Sequence, residues 1–303
     1  MPPQHPADDS LLITAGVLAG LPVASDQGGD GKEGRGTILV IGGTAATPGA
    51  AVLAGVTALR AGAGKLQLAV AASVAAHVAV AVPECACVSL PQTAAGEIDP
   101  IAAEALAQAL DGADAVLIGP GLVGPDTVPP FVERVLAQLT GDQVVVVDAK
   151  AVQSLRPSMT AHLAGRLILT PNQGEAAELV DDDALVDKDP LTAARRLAEQ
   201  FDAVVALRGA TSWVTAPDGS AYRNEAGNEG LGTSGSGDVC SGLVAGLAAR
   251  GAAPLAAAVW GVHAHARAGD RLALRIGATG FLAREIADEI PAVLTELESG
   301  DSR

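Results

Sequence analysis

The chain has 303 residues, a mass of 30.0 kDa and a formal charge of −16 from 19 basic and 35 acidic residues. Apolar residues reach 49% and charged ones 18%, which excludes wholesale disorder and supplies a packed core. Aromatics at 2% and the acidic balance exclude stacking platforms for nucleic acid and argue against anionic membranes, so a phosphate-bearing ligand needs a local source of positive potential.

Residues 1–35 are rich in Pro, Asp and Gly and read as a flexible lead-in, with a short helix near 10–20 and a loop over SDQGGDGKEGRG. The stretch LLITAGVLAGLPVA is short, broken by Gly and Pro and not preceded by a basic segment, so neither signal peptide nor membrane span is expected. Three Cys (Cys85, Cys87, Cys240) with no CxxC pair point to a reducing compartment and a cytoplasmic location.

From Thr37 the texture changes. Apolar runs at 37–41, 65–71, 85–90, 115–121, 143–149, 166–170 and 203–209 alternate with helical stretches at 49–63, 100–110, 128–139 and 190–200. Continuous apolar strands separated by crossover helices predict an α/β fold, a three-layer α/β/α sandwich around a mainly parallel sheet. Residues 212–225 then read as a hairpin turning at Pro217-Asp218-Gly219, followed by helices over 238–250, 255–270 and 279–298. No linker or repeat interrupts this stretch, so 36–303 reads as a single domain.

Five strand ends run into Gly, Pro or polar clusters: IGGTAATPG, IGPGLVG, VDAKA, LTPNQGE and LRGATS. Each alone is explained by a tight turn. Five on one sheet edge point to a shared cleft, because ligands of open parallel sheets sit at the strand C-terminal ends. The sharpest signal is GLGTSGSGDVCSG, where Gly235, Ser236 and Gly237 precede Asp238 at a helix start. Amides there, with the helix field, form an anion hole. Asp238 has two readings, a plain helix cap or a general base acting on a reacting hydroxyl. The dinucleotide fingerprint, the P-loop and a nucleophile-elbow serine all fail on spacing. His263 and His265 have no Cys/His partners nearby and read as packing or surface positions.

Eight motifs in order, GGTAATPGAAVLAG, ALRAGAGK, GPGL, VVDA, LTPNQGE, LRGAT, PDG and GNEGLGTSGSGDV, give the chain a resemblance to the ADP-dependent NAD(P)H-hydrate dehydratases of the ribokinase-like superfamily, over about residues 32–290. The resemblance implies a ribokinase-like fold and a lyase that uses ADP or ATP hydrolysis to drive water out of NADHX and NADPHX. It implies Mg2+ as companion of the nucleotide and a homo-oligomer, commonly a tetramer. It places Ala50, Gly121, Asn172 and Asp238 at the hydrate, with Asp238 catalytic. It places Arg208, Gly209, Ala210, Thr211, Ser212, Gly235, Ser236 and Gly237 at the nucleotide.

Four positions depart from the family pattern. Asn172-Gln173 stands for His-Pro, Arg208 for Lys, Ser234-Gly235 for Gly-Gly, and Lys150 for a small or acidic residue. Asn does not titrate near neutral pH, so Asn172 is expected to hold a substrate hydroxyl or phosphate rather than exchange protons. Two other readings stay open: a small-molecule kinase with Asp238 as base, and a nucleotide-binding paralogue without catalysis.

Overall fold

The computed structural model describes residues 9–23 and 31–300. Ten strands form one sheet: β1 (Leu11–Leu12), β2 (Thr37–Ile41), β3 (Lys65–Ala71), β4 (Cys85–Leu90), β5 (Ala115–Ile118), β6 (Val144–Val147), β7 (Leu167–Leu169), β8 (Val204–Leu207), β9 (Ser212–Thr215) and β10 (Ala221–Asn224). Their spatial order is β1-β10-β9-β8-β7-β6-β5-β2-β3-β4. Strands β2 to β8 are mutually parallel, β9 is antiparallel to both β8 and β10, and β1 runs parallel to β10. The predicted three-layer, mainly parallel architecture is present.

The apolar runs form strands because both faces of the sheet are covered. In β2, Ile38 and Val40 enter one core while Leu39 and Ile41 enter the other, all of them fully buried. Helices Pro48–Arg60, Ser236–Ala249, Pro254–Arg275 and Ala283–Ser299 cover the first face; Val128–Leu136 and Pro190–Phe201 cover the second. Small residues set the spacing on the first face. A Cβ on Gly242 would collide with the Ala54 carbonyl oxygen, and one on Gly246 would lie 2.7 Å from the Ala58 Cα. The backbones of helices Pro48–Arg60 and Ser236–Ala249 therefore touch. Among the described residues no helix is long and apolar enough to cross a membrane.

The chain runs β2, β3, β4 outward, then returns to the other side of β2 with β5. This reversal opens a crevice where such sheets bind ligands. The loops flanking it are laced together: Gly43 N–H donates to the Pro120 carbonyl (2.8 Å) and the Thr47 hydroxyl to the Gly121 carbonyl (2.8 Å).

Some expectations differ from the structure. Part of the predicted loose lead-in is built into the body: β1 extends the sheet beside β10, the short helix is Ala15–Ala19 with Leu18 fully buried, and the Trp260 indole donates to the Leu21 carbonyl at 2.7 Å. The Gly-rich part of the predicted loop lies at 24–30, outside the described residues. The stretch 100–110 is a 3-10 turn, Pro100–Leu106, running into a short helix, Ala107–Asp111. The hairpin turns where expected, with Ala216 N–H donating to Ser220 O at 3.0 Å and Gly219 at φ +90°.

Candidate active site

Four ionisable side chains meet beyond the C-terminal ends of β6, β7 and β8. Asp148 follows β6, Glu175 lies in the first turn of helix Gln173–Val180 after β7, and Arg208 follows β8. Asp238 comes from the first turn of helix Ser236–Ala249. The Asp148 side chain is almost fully buried and accepts from the Thr170 hydroxyl (2.9 Å) and from Arg208 Nη2 (3.0 Å). Arg208 Nε donates to the Thr170 carbonyl at 3.0 Å, and Nη2 lies 3.9 Å from Glu175 Oε2. Arg208 is thus a paired cation that holds the strand ends together. Its Nη1 occupies the space beside Gly237, where any Cβ would collide with it. The glycine there is required by the guanidinium as well as by any ligand.

Burial raises the Asp238 carboxyl to about 7; the nearby Asp148 and Glu175 charges add to the rise and Arg208 opposes it. Burial also raises Glu175, with the Asn172 amide and Arg208 pulling it back. Asp238 is therefore the group poised to exchange protons near neutrality, as a general base must be. It is not the helix cap. Gly235, in left-handed backbone at φ +87°, takes that place with no side-chain cap; the Ser236 amide donates to the Thr233 carbonyl at 3.2 Å, which leaves the Gly237 and Asp238 amides for a ligand.

Asn172 borders the cleft, but its side-chain oxygen already has a structural partner. It accepts from the Glu175 amide (2.9 Å) while the Glu175 carboxylate accepts from the Asn172 amide (2.9 Å), a reciprocal capping box that starts helix Gln173–Val180. Ala149, beside Asp148, adopts φ +53°, a conformation that costs a non-glycine residue and that clusters at functional strand ends.

The cleft encloses about 870 Å3. Of the predicted residues it brings together Asn172, Arg208, Gly209, Ala210, Ser212, Gly235, Ser236, Gly237 and Asp238. Thr211 is not among its lining residues. Ala50 and Gly121 lie apart from it at the crevice between β2 and β5, where a Cβ on Gly121 would be 3.0 Å from the Ala50 Cβ. The two regions adjoin, since a Cβ on Gly235 would sit 2.6 Å from Leu53 on the helix that begins with Pro48.

Sequence reasoning missed Asp148, Glu175, Asn224 and His265. His265 is no bland packing residue: its Nε2 is 3.0 Å from the Ser236 hydroxyl at the helix start. Burial and the Arg208 charge lower it to about 4, so the ring is neutral at pH 7. His263 Nδ1 pairs with the buried Asn224 side chain at 2.8 Å. The advance signal was the placement of Asp148 inside VVDA and of Glu175 inside LTPNQGE; Asn224 and His265 lie outside both motifs and carried none. Among the described residues no three His, Cys, Asp or Glu side chains converge as a metal cage.

Known proteins resemble this chain in sequence and in fold. A family model described as NAD(P)H-hydrate dehydratase matches residues 38–292. The chain is 47% identical over 289 residues to the ADP-dependent (S)-NAD(P)H-hydrate dehydratase of Xanthomonas campestris, covering 95% of this chain and 97% of that protein. It is 36% identical to a bifunctional NAD(P)H-hydrate repair enzyme of Moorella thermoacetica, of which it spans only 54%. In three dimensions it superposes with a TM-score of 0.78 at 26% identity on the ADP/ATP-dependent NAD(P)H-hydrate dehydratase of Bacillus subtilis co-crystallised with ATP and Mg2+, covering 96% of this chain and 100% of that one.

Proposed function

The chain belongs to the NAD(P)H-hydrate dehydratase family, and from that premise we propose that it removes water from NADHX and NADPHX at the expense of ADP or ATP. The observation that carries the reading is the Asp238 carboxyl, raised to about 7 and set beside the uncapped amides of its own helix.

The chemistry follows from the leaving group. Hydroxide leaves a hydrated nicotinamide ring poorly, whereas phosphate leaves well. Asp238 takes the proton of the ring hydroxyl as the hydroxyl oxygen attacks the terminal phosphorus of the nucleotide and the phosphoanhydride P–O bond breaks, releasing the shortened nucleotide. The phosphate then departs with the C–O electron pair, pushed by the ring nitrogen, and a neighbouring C–H proton passes to the departing phosphate, which restores the double bond. The net change is one water removed from the hydrate and one phosphoanhydride bond hydrolysed. The Gly237 and Asp238 amides and the Gly209–Ser212 loop receive the nucleotide phosphates, and Ala50, Gly121 and the side-chain NH2 group of Asn172 hold the hydrate. Arg208 fixes Asp148 and the Thr170 carbonyl through Nη2 and Nε, and its Nη1, beside Gly237, is left to meet the nucleotide phosphates. A magnesium ion belongs to this reading as a companion of the nucleotide phosphates. The reading includes a cytoplasmic homo-oligomer.

Incubation with NADHX and ADP or ATP, followed at the NADH absorbance, tests it. Appearance of NADH is the expected result. Absence of NADH with both nucleotides overturns it, and a phosphorylated vitamin precursor formed instead would make the protein a kinase of the same fold.

A further inference from the structure

We propose that a second cleft, over the ends of β5 and β6, binds a phosphate in the distal, adenosine-bearing half of the dinucleotide substrate through Lys150. The inference rests on the dehydratase reading above. The cleft encloses about 440 Å3, and Val123, Val128, Pro129, Lys150, Gln153 and Ser154 line it.

Its position follows from the sheet. Asp148 and Ala149 line the first cleft and Lys150 lines the second, so one turn of chain, passing through the left-handed Ala149, presents residues to both. That turn is fixed against the Gly119–Gly121 loop: Asp148 N–H donates to Ile118 O at 2.9 Å, and a Cβ on Gly119 would collide with the Asp148 carbonyl. Val123 lies two residues beyond Gly121. Along the strand ends the layout is therefore linear. The Gly209–Ser212 and Asn224–Gly235 segments lie on the β8–β10 side, the carboxylates lie over β6 to β8, and the second cleft lies over β5 and β6. The proposal seats the nucleotide on the β8–β10 side, the ring between Asp238 and Gly121, and the other half of the dinucleotide in the neighbouring cleft over β5 and β6.

The chemistry of the cleft suits that half. Val123, Val128 and Pro129 offer an apolar wall to a nucleoside, and Gln153 and Ser154 offer polar groups at the edge. Lys150 is the single charged side chain of the lining, is exposed, and makes no ion pair with a described residue. Glu97, which borders Gly124, is tied to the Thr127 hydroxyl at 2.9 Å. Its charge also reaches the Glu175 carboxyl at the first cleft, so the ammonium stands between the two clefts; in a protein of net charge −16 it is the local positive potential that a phosphate ester requires.

The test compares Lys150→Ala with wild type on three substrates at saturating ADP: NADHX, NADPHX and the hydrate of reduced nicotinamide mononucleotide, which lacks the distal half. Binding of NADPH is measured by calorimetry alongside. A lost charged hydrogen bond predicts a KM rise on the order of tenfold for the dinucleotides, with kcat and the ADP KM within twofold. A rise confined to NADPHX identifies the ribose 2′-phosphate; an equal rise for both dinucleotides identifies the adenylate phosphate of the pyrophosphate. No rise, or the same rise with the mononucleotide hydrate, overturns the assignment. If wild type turns over no hydrate, the dehydratase reading fails by itself; weaker NADPH binding by Lys150→Ala would still support the cleft, and unchanged binding would overturn it.

Discussion

Asp148 and Asp238 lie at the same sheet edge, yet their surroundings give them different work. Asp148 is engaged by Thr170 and Arg208, while Asp238 has no side-chain partner among the described residues and sits where its charge is disfavoured. Asp238→Asn should lower turnover by about 10²–10⁴ with nucleotide affinity nearly unchanged, measured by steady-state kinetics and calorimetry. In the wild type, kcat/KM should rise with pH through an apparent pKa of about 7, because the base must be ionised. The sign for stability is opposite. The folded carboxyl binds its proton more tightly than the unfolded one, so this group's stabilising effect is intact below about pH 4 and is lost as pH rises toward 7. Melting temperatures of wild type and Asp238→Asn should therefore diverge between about pH 4 and 7 and stay apart above it, with the variant the more stable at pH 8. Asn172 yields a different expectation from the sequence alone. Because its oxygen caps a helix, Asn172→Ala should cost about 1 kcal/mol in a denaturant titration. Asn172→His should cost a similar amount and bring no large gain in turnover; a hundredfold gain would mean that a lost acid–base group had been restored. The helix start at Gly235–Asp238 was legible because glycine and aspartate in that order have a local meaning. Asp148 was not, because an aspartate after a strand is also an ordinary turn residue, and its partner Arg208 is sixty positions away.

At the scale of elements, buried parallel strands were the most legible, since two covered faces require uninterrupted apolar runs. The helix Ala72–Ala81 was not, because its Ala and Val are apolar on every side and give no helical periodicity. Strand β1 has two exposed leucines and no pattern at all; only its partner β10 defines it. The contact between Gly242 and Ala54 sets how far helix Ser236–Ala249 reaches toward the strand ends, and so where Asp238 stands. Gly242→Ala must push the two backbones apart and should destabilise the fold by about 1–3 kcal/mol. Gly232→Ala, where nothing lies within 4 Å, should leave the melting temperature almost unchanged and serves as the control.

At the scale of the molecule, residues 9–23 close one end of the sheet. Leu18 inserts into the core, Trp260 donates to Leu21, and Arg195 pairs with Asp9. Deleting residues 1–23 should expose the β10 edge and lower the melting temperature by several degrees, with increased light scattering on heating. Intact solubility and an unchanged melting temperature would show the segment to be dispensable. The pairing of Leu11 with Tyr222 also has a consequence in time. The first strand leaves the ribosome with its only neighbour roughly 210 residues unmade; at about 5–20 residues per second it waits some 10–40 s. Until then its leucines and the Leu18 helix are available to chaperones, and the closing of so long a loop belongs to the end of folding. Trp260 is the reporter of that last step, because its indole gains the Leu21 carbonyl only when the segment docks.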